Sequence, residues 1–97
     1  MLSLRRYKAM KELAERLKQL RSEKELSLDM VIYDLEKKYD IEINKGHLSR
    51  WENDKNDASI RFVAYLAKYY GVSVDYLLGL TDSRTPADLL ARKRKSN

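Results

Sequence analysis

Apolar residues recur every three or four positions along most of this 97-residue chain. The first stripe, which includes Leu13 and Leu17, predicts a helix from about Leu4 to Lys24. No segment sustains the period-two alternation of a half-buried strand, and one proline and three glycines leave few helix breakers. The pattern therefore predicts an all-α fold.

Short polar residues ahead of further apolar stripes predict where the later helices begin. Ser27 is suited to cap a second helix, because Leu26 before it and Val31 after it form a hydrophobic staple. The same signals predict helix four from Ser59 to a cap at Gly71, helix five from Ser73 to Gly79, and a marginal sixth helix restarting at Thr85. We expect a compact five-helix bundle with a possible short C-terminal helix.

The segment 40–43, between the second and third predicted helices, is too short for a helix and too apolar for a free loop. We expect Ile41 and Ile43 to tuck under the domain as a short extended piece. Asn44 then caps a third helix that runs to about Glu52.

This third helix is polar apart from Leu48 and Trp51, which are three positions apart and share the face that points to the core. The outer side is expected to carry Lys45, Gly46, Ser49 and Arg50, with His47 at the boundary. A short helix with two anchors, preceded by a helix of similar size, indicates a helix-turn-helix. The second helix of that motif fits the DNA major groove.

Net charge adds little support for DNA binding until its distribution is considered. The chain carries +5, but the segment 84–97 has five cationic residues and one carboxylate, a net +4, while residues 1–83 have 15 and 14, a net +1. We divide the chain into a DNA-binding domain, 1–83, and a basic tail, 84–97. The tail is either a solvated end or an arm that contacts phosphate or a membrane surface.

Other functional classes lack sequence support. Without cysteine, and with a single histidine, an ordinary zinc site is excluded, and we predict neither metal nor cofactor. We find no phosphate-binding loop or nucleophile elbow, so we do not expect an enzyme. No apolar run is long enough to span a membrane and no secretory signal begins the chain, so we expect a cytoplasmic protein.

Three motifs together resemble the lambda-repressor and Cro-like helix-turn-helix family, also called the XRE family. They are LR…LS at 20–27, LSRWEN at 48–53 and LA…GVSVDYLLG at 66–79. The resemblance covers about residues 10–82. The middle of the motif is several residues longer than the usual three- or four-residue turn, as in a subset of phage repressors.

The resemblance implies roles for particular positions. The expected base-reading residues are Lys45, Gly46, His47 and Arg50, and the expected phosphate-binding residues are Ser27, Leu28, Asn44, Asn53, Lys55 and Asn56. It also implies an ion pair between Arg21 and Glu52. Leu28 could contact phosphate only through its backbone N–H near the start of a helix.

Several of these residues also have ordinary structural interpretations. Arg50 either grips a guanine or pairs with Asp54, and Lys45 reaches either a base or a phosphate. His47 either contacts DNA or is a solvated or helix-packing histidine. We assign Trp51 to the core rather than to base stacking, because the helix would otherwise keep one anchor.

The resemblance implies a repressor of phage or mobile-element type that binds an inverted-repeat operator as a homodimer. An antagonist protein is a further candidate partner. An exposed aromatic patch of Tyr65, Tyr69 and Tyr76 would provide the dimer interface. One alternative is an antitoxin that represses its own operon and binds a toxin. The other is a protein-interaction module presenting Tyr65, Tyr69, Leu89 and Leu90, with incidental DNA binding.

Overall fold

The computed structural model describes residues 4–53 and 58–95, and these form six helices with no strand among them. The helices are α1 (Leu4–Glu23), α2 (Leu28–Tyr39), α3 (Lys45–Glu52), α4 (Ile60–Tyr70), α5 (Val74–Leu77) and α6 (Pro86–Lys95). The predicted all-α fold is confirmed, and the short C-terminal helix forms.

Side-chain oxygens cap the helices at the positions that the sequence predicts. The hydroxyl of Ser27 accepts a hydrogen bond from the backbone N–H of Met30 at 3.1 Å, and that of Ser73 accepts from Tyr76 at 3.0 Å. Thr85 caps α6 through Asp88 in the same way, at 3.2 Å. Each bond satisfies one backbone donor that the first turn of a helix leaves without an internal partner.

The core lies where α1 packs against α3 and α5, and where α2 packs against α3 and α4. It is built mainly from leucine and valine side chains that are almost fully buried, namely Leu17, Leu35, Leu48, Leu66, Leu77, Val31 and Val63. These residues come from α1 through α5, so all five helices share one apolar core.

The link between α2 and α3 is extended and anchored, as predicted. Asp40 ends α2 in a left-handed conformation, with φ of 55°. Ile41 and Ile43 are both buried in the core while Glu42 between them is exposed, as expected where side chains alternate between two faces. The longer connection is therefore a fixed spacer that sets where α3 begins.

The expected exposed patch of tyrosines is wrong, because all three side chains pack into the domain. Tyr76 is buried, and Tyr65 is half-buried against Tyr39 with ring centroids 5.5 Å apart. The Tyr69 hydroxyl donates a 2.6 Å hydrogen bond to Asp34, and partial burial and this bond raise its pKa. The aromatic residues thus join α2 to α4 and α5 to the core.

The segment before α6 is fastened to α1. The Arg84 guanidinium donates to both carboxylate oxygens of Glu23, at 2.9 and 2.7 Å, and its backbone carbonyl accepts from the Ser73 N–H at 2.8 Å. Arg84 and Arg16 both lie over the Tyr76 ring, with guanidinium carbons 5.5 and 4.3 Å from its centroid. These contacts fix the point from which α6 begins.

Candidate nucleic-acid interface

Two buried side chains hold α3 against the domain. Leu48 and Trp51 are 1% and 5% exposed, and the indole packs against Phe62 with ring centroids 5.3 Å apart. Residues three apart share a helix face, so burying this pair leaves the opposite face to solvent. The prediction that Trp51 belongs to the core is confirmed, and the indole is not available to stack on a base.

An ion pair between the half-buried Arg21 and the buried Glu52 fixes the C-terminal end of α3. The Nε of Arg21 donates to both carboxylate oxygens of Glu52, at 3.0 and 2.9 Å, and its Nη2 donates to Oε1 at 2.9 Å. Glu52 is 5% exposed, and its hydrogen bonds raise the pKa of Arg21. The same guanidinium donates to the backbone carbonyl of Leu26 at 2.8 Å.

This arrangement joins the end of α1, the residue before the α2 cap and the end of α3. The pair that the family resemblance implied is therefore present. Because planar guanidinium and carboxylate groups fix their mutual orientation, the pair restrains rotation of α3.

The outward face of α3 carries the four residues that we predict to read bases. Lys45, Gly46, His47 and Arg50 are all exposed. The expectation for Ser49 is only partly met, since it is half-buried and its carbonyl accepts a 2.7 Å hydrogen bond from the Asn53 side chain. The structure thus brings these four residues together on the solvent side of one helix, and their reading of bases stays a prediction.

Gly46 lies in the first turn of α3, where its backbone N–H binds the residue that caps the helix. The side-chain oxygen of Asn44 caps the helix by accepting from the Gly46 N–H at 2.7 Å. A Cβ on Gly46 would lie 2.9 Å from that oxygen and would press on the cap. Asn44 donates through its amide nitrogen, which this bond does not use, so a contact to phosphate is compatible with capping.

Lys45 has a neighbour that the sequence analysis missed. Its ammonium lies 3.2 Å from a carboxylate oxygen of Asp29 in the first turn of α2, and both side chains are mostly exposed. Exposed pairs of this kind contribute little to stability, so DNA phosphate could displace the carboxylate. No local pattern indicates the contact, because the two residues are sixteen positions apart on different helices.

His47 lies beside the indole that anchors the helix. The imidazole and the Trp51 ring are nearly parallel, with centroids 6.3 Å apart. The histidine is nevertheless exposed, so its ring edge is accessible from solvent. It is both packed and accessible, which keeps its two sequence interpretations open.

The predicted phosphate-binding residues lie at two helix boundaries. Ser27 and Leu28 form the start of α2, where backbone N–H groups and the helix dipole favour an anion. Asn53 is exposed and ends α3, with its side-chain amide donating to Ser49. Lys55 and Asn56 lie outside the described residues, as does Asp54, the alternative partner of Arg50.

Carboxylates border the longer link, and the sequence analysis did not assign them a role. A cleft of about 520 Å³ lies between α2, the link and α3, lined by Ile32, Glu36, Glu42, Ile43, Asn44 and His47. Glu36 and Glu42 are exposed there. This negative charge lies beside Asn44 and His47, so it weakens phosphate contacts at these two residues relative to those near Lys45 and Arg50.

The comparison with known families agrees with this geometry. A profile of the family described as helix-turn-helix domain matches residues 14–83, which comprise α1 after its first turns, α2 to α5 and the segment as far as Ser83. Searches of curated proteins and of solved structures give no match.

Two further properties bear on the site. Within 4–53 and 58–95, no helix combines the length and apolar character needed to cross a membrane. The same described residues contain no cluster of three or more histidine or carboxylate side chains arranged to hold a metal ion.

Proposed function

The chain belongs to the helix-turn-helix domain family, and on that premise we propose that it is a sequence-specific, double-stranded DNA-binding transcriptional regulator. The main support for the proposal is that one side of α3 is buried against the domain while the other side is exposed and basic. Its inner side is held by Leu48, Trp51 and Glu52, while Lys45 and Arg50 are exposed on its outer side.

Arg50 is the principal base-reading residue in this proposal. An exposed arginine on a rigid helix can donate two hydrogen bonds to guanine O6 and N7, which discriminates against other bases by roughly 1–3 kcal/mol. Lys45 and His47 lie one turn earlier, at the end of α3 that would enter the groove first. Gly46 between them permits close approach of the backbone.

Phosphate contacts set the register of the helix in the groove. Ser27 and the backbone N–H of Leu28 are proposed to hold one phosphate at the start of α2. Asn44 and Asn53 are proposed to hold others at the two ends of α3, with Lys55 and Asn56 following. Such contacts position the protein without reading sequence.

The finer assignment follows the resemblance to the lambda-repressor and Cro-like family. We propose a cytoplasmic repressor of phage or mobile-element type that binds as a homodimer to an inverted repeat. Half-sites about one helical turn, 34–36 Å, apart would let both copies of α3 enter the major groove on one side of the duplex. The length of the anchored link between α2 and α3 supports similarity to the phage repressors with a stretched motif.

Selection of bound sequences from random duplex DNA tests this proposal directly. The expected result is an inverted repeat with at least one invariant guanine per half-site and a fixed centre-to-centre spacing. The control is a parallel selection with the Arg61→Ala variant. It loses one exposed arginine from α4 and leaves α3 unchanged, so it should select the same sequence as the native chain. Recovery of no enriched sequence from the native chain would contradict sequence-specific binding.

A further inference from the structure

We infer that α6 is a second DNA-contacting element, which binds phosphates flanking the half-site without reading bases. This inference rests on the proposed function and adds to it a source of affinity. Its basis is the position of the start of α6, the charge of its last turn and the near-neutral charge of the rest of the chain.

The start of α6 is fixed at the end of the domain that carries the candidate interface. Glu23, which binds Arg84, is two residues beyond Arg21, which binds the end of α3. Only residues 24–26 separate Glu23 from Ser27, a chain length of at most about 14 Å. The anchor of α6 and the proposed phosphate site at the start of α2 are therefore neighbours.

Arg84, the residue that anchors the start of α6, is held by three separate contacts. Arg84 is held at its guanidinium by Glu23, at its carbonyl by the Ser73 N–H, and over one face of Tyr76. Thr85 caps α6 immediately afterwards. A helix of ten residues is about 15 Å long, so its last turn lies within a limited distance of this anchor.

The last turn of α6 concentrates the cationic charge of the chain. Arg92, Lys93, Arg94 and Lys95 occupy four consecutive positions there, whereas the one carboxylate, Asp88, lies in the first turn. Cations at the C-terminal end also suit the helix dipole, so the charge does not oppose helix formation.

The remainder of the chain offers little unbalanced charge for phosphate. Residues 1–83 carry a net +1. Near the interface, Arg21 is paired with Glu52 and Lys45 lies against Asp29. Duplex DNA is a dense line of negative charge, and affinity for it depends on cations that replace counterions. The four cations of α6 form the longest uninterrupted cationic run in the sequence.

Salt dependence of duplex binding tests the inference with the full chain. The probes are a mixed-sequence 30-base-pair duplex and the duplex obtained by selection. The test variant changes Arg92, Lys93, Arg94 and Lys95 to glutamine. The matched control changes four exposed lysines elsewhere in the chain, Lys11, Lys18, Lys37 and Lys38, to glutamine and so alters net charge equally.

Each phosphate contact contributes about 0.9 to the slope of log affinity against log salt concentration. We expect the α6 variant to reduce the slope by about 2–4 on both duplexes, while the control variant changes it by less than about 1. Between 50 and 200 mM salt, the native chain should then lose about 16- to 250-fold more affinity than the α6 variant.

Three outcomes would overturn the inference. They are an unchanged slope in the α6 variant, an equal change in both variants, and, when vesicles containing anionic lipid are used as a third probe, an α6 variant that loses binding to the vesicles but not to either duplex. The proposed function is judged separately, by whether Arg50→Ala loses discrimination at one base pair of the selected duplex. If α6 neutralisation has no effect while Arg50→Ala loses that discrimination, the inference alone fails.

Discussion

Helices α3 and α6 are both short, polar and predicted to contact DNA, but the domain holds them in different ways. Two buried apolar side chains and the Arg21–Glu52 pair fix α3 along its length. For α6 the structure describes an attachment at the start of the helix, where Arg84 binds Glu23 and Thr85 caps the first turn.

The difference matches two kinds of recognition. Reading a base edge needs a side chain placed to within a fraction of an ångström, and a helix fixed on its inner side provides that placement. Attraction to phosphate is long-ranged and tolerant of position, so a helix anchored at one end is sufficient. Substitutions that weaken the packing of α3, or the segment that anchors α6, test this difference.

The largest effect is expected from removing the arginine that braces α3. Arg21→Ala leaves the buried Glu52 carboxylate without its partner, which should lower the free energy of unfolding by roughly 3–4 kcal/mol. Glu52→Ala should cost less, because Arg21 is more exposed and can regain water. Urea unfolding of both single variants and the double variant measures the coupling between them.

Arg21→Lys provides a control for charge. It keeps the positive charge but not the planar pair of donors, so we expect it to recover only part of the lost stability. A double-variant cycle with no coupling energy would show that the pair does not brace α3.

The next largest loss of stability is expected from a substitution at Gly79. This residue packs against Glu12 of α1 and precedes the segment that leads to α6. Its φ is +76°, and a Cβ would lie 2.8 Å from the Glu12 Cγ. Gly79→Ala should therefore cost roughly 2–4 kcal/mol, from backbone strain and steric overlap together.

Gly71→Ala is the matched control, because its φ is +70° and a Cβ there would meet nothing within 4 Å. It should cost about 1–2 kcal/mol from the backbone alone. Equal unfolding free energies for the two variants would show that contact with Glu12 does not restrict position 79.

A smaller effect is expected from the cap of α3. Asn44→Ala removes the acceptor of the Gly46 N–H and should reduce stability by about 1 kcal/mol. Asn44→Ser restores an acceptor and should recover most of that loss. Thermal unfolding of the three proteins tests this, and an Asn44→Ala protein as stable as the native one would exclude a capping role.

The smallest effect concerns pH and the anchor of α6. The hydrogen bonds from Arg84 hold the pKa of Glu23 below its ordinary value of 4.5. A depressed folded-state pKa stabilises the protein fully above 4.5, and that contribution is lost as pH falls through the lower value. Glu23→Gln should therefore differ most from the native chain near neutral pH and converge with it as pH falls below the lowered pKa of Glu23. A difference that is independent of pH would contradict this account.

Much of the fold could be predicted because its signals are local. Ser27, Ser59 and Ser73 each precede an apolar stripe, Asn44 precedes the two apolar anchors of α3, and each of the four caps the expected helix. The burial of Ile41 and Ile43 followed from an apolar segment too short to be a helix. In these cases the residues that determine the structure are close together in sequence.

Contacts between distant residues could not be predicted in this way. Nothing near Arg84 indicates that it binds Glu23, sixty-one positions earlier, and nothing near Asp29 indicates Lys45. The Arg21–Glu52 pair, thirty-one positions apart, was expected only from the family resemblance. Local patterns show which face of a helix is polar, but the partners of that face depend on tertiary packing.

The central claim is that α3 holds Arg50 outward to read a base, and one measurement tests it most directly. Affinities of the native chain and of Arg50→Ala are compared on the selected duplex and on duplexes altered at each half-site position. We predict that Arg50→Ala loses discrimination at one base pair by roughly 1–3 kcal/mol and keeps it elsewhere. Unchanged discrimination at every position would contradict the claim.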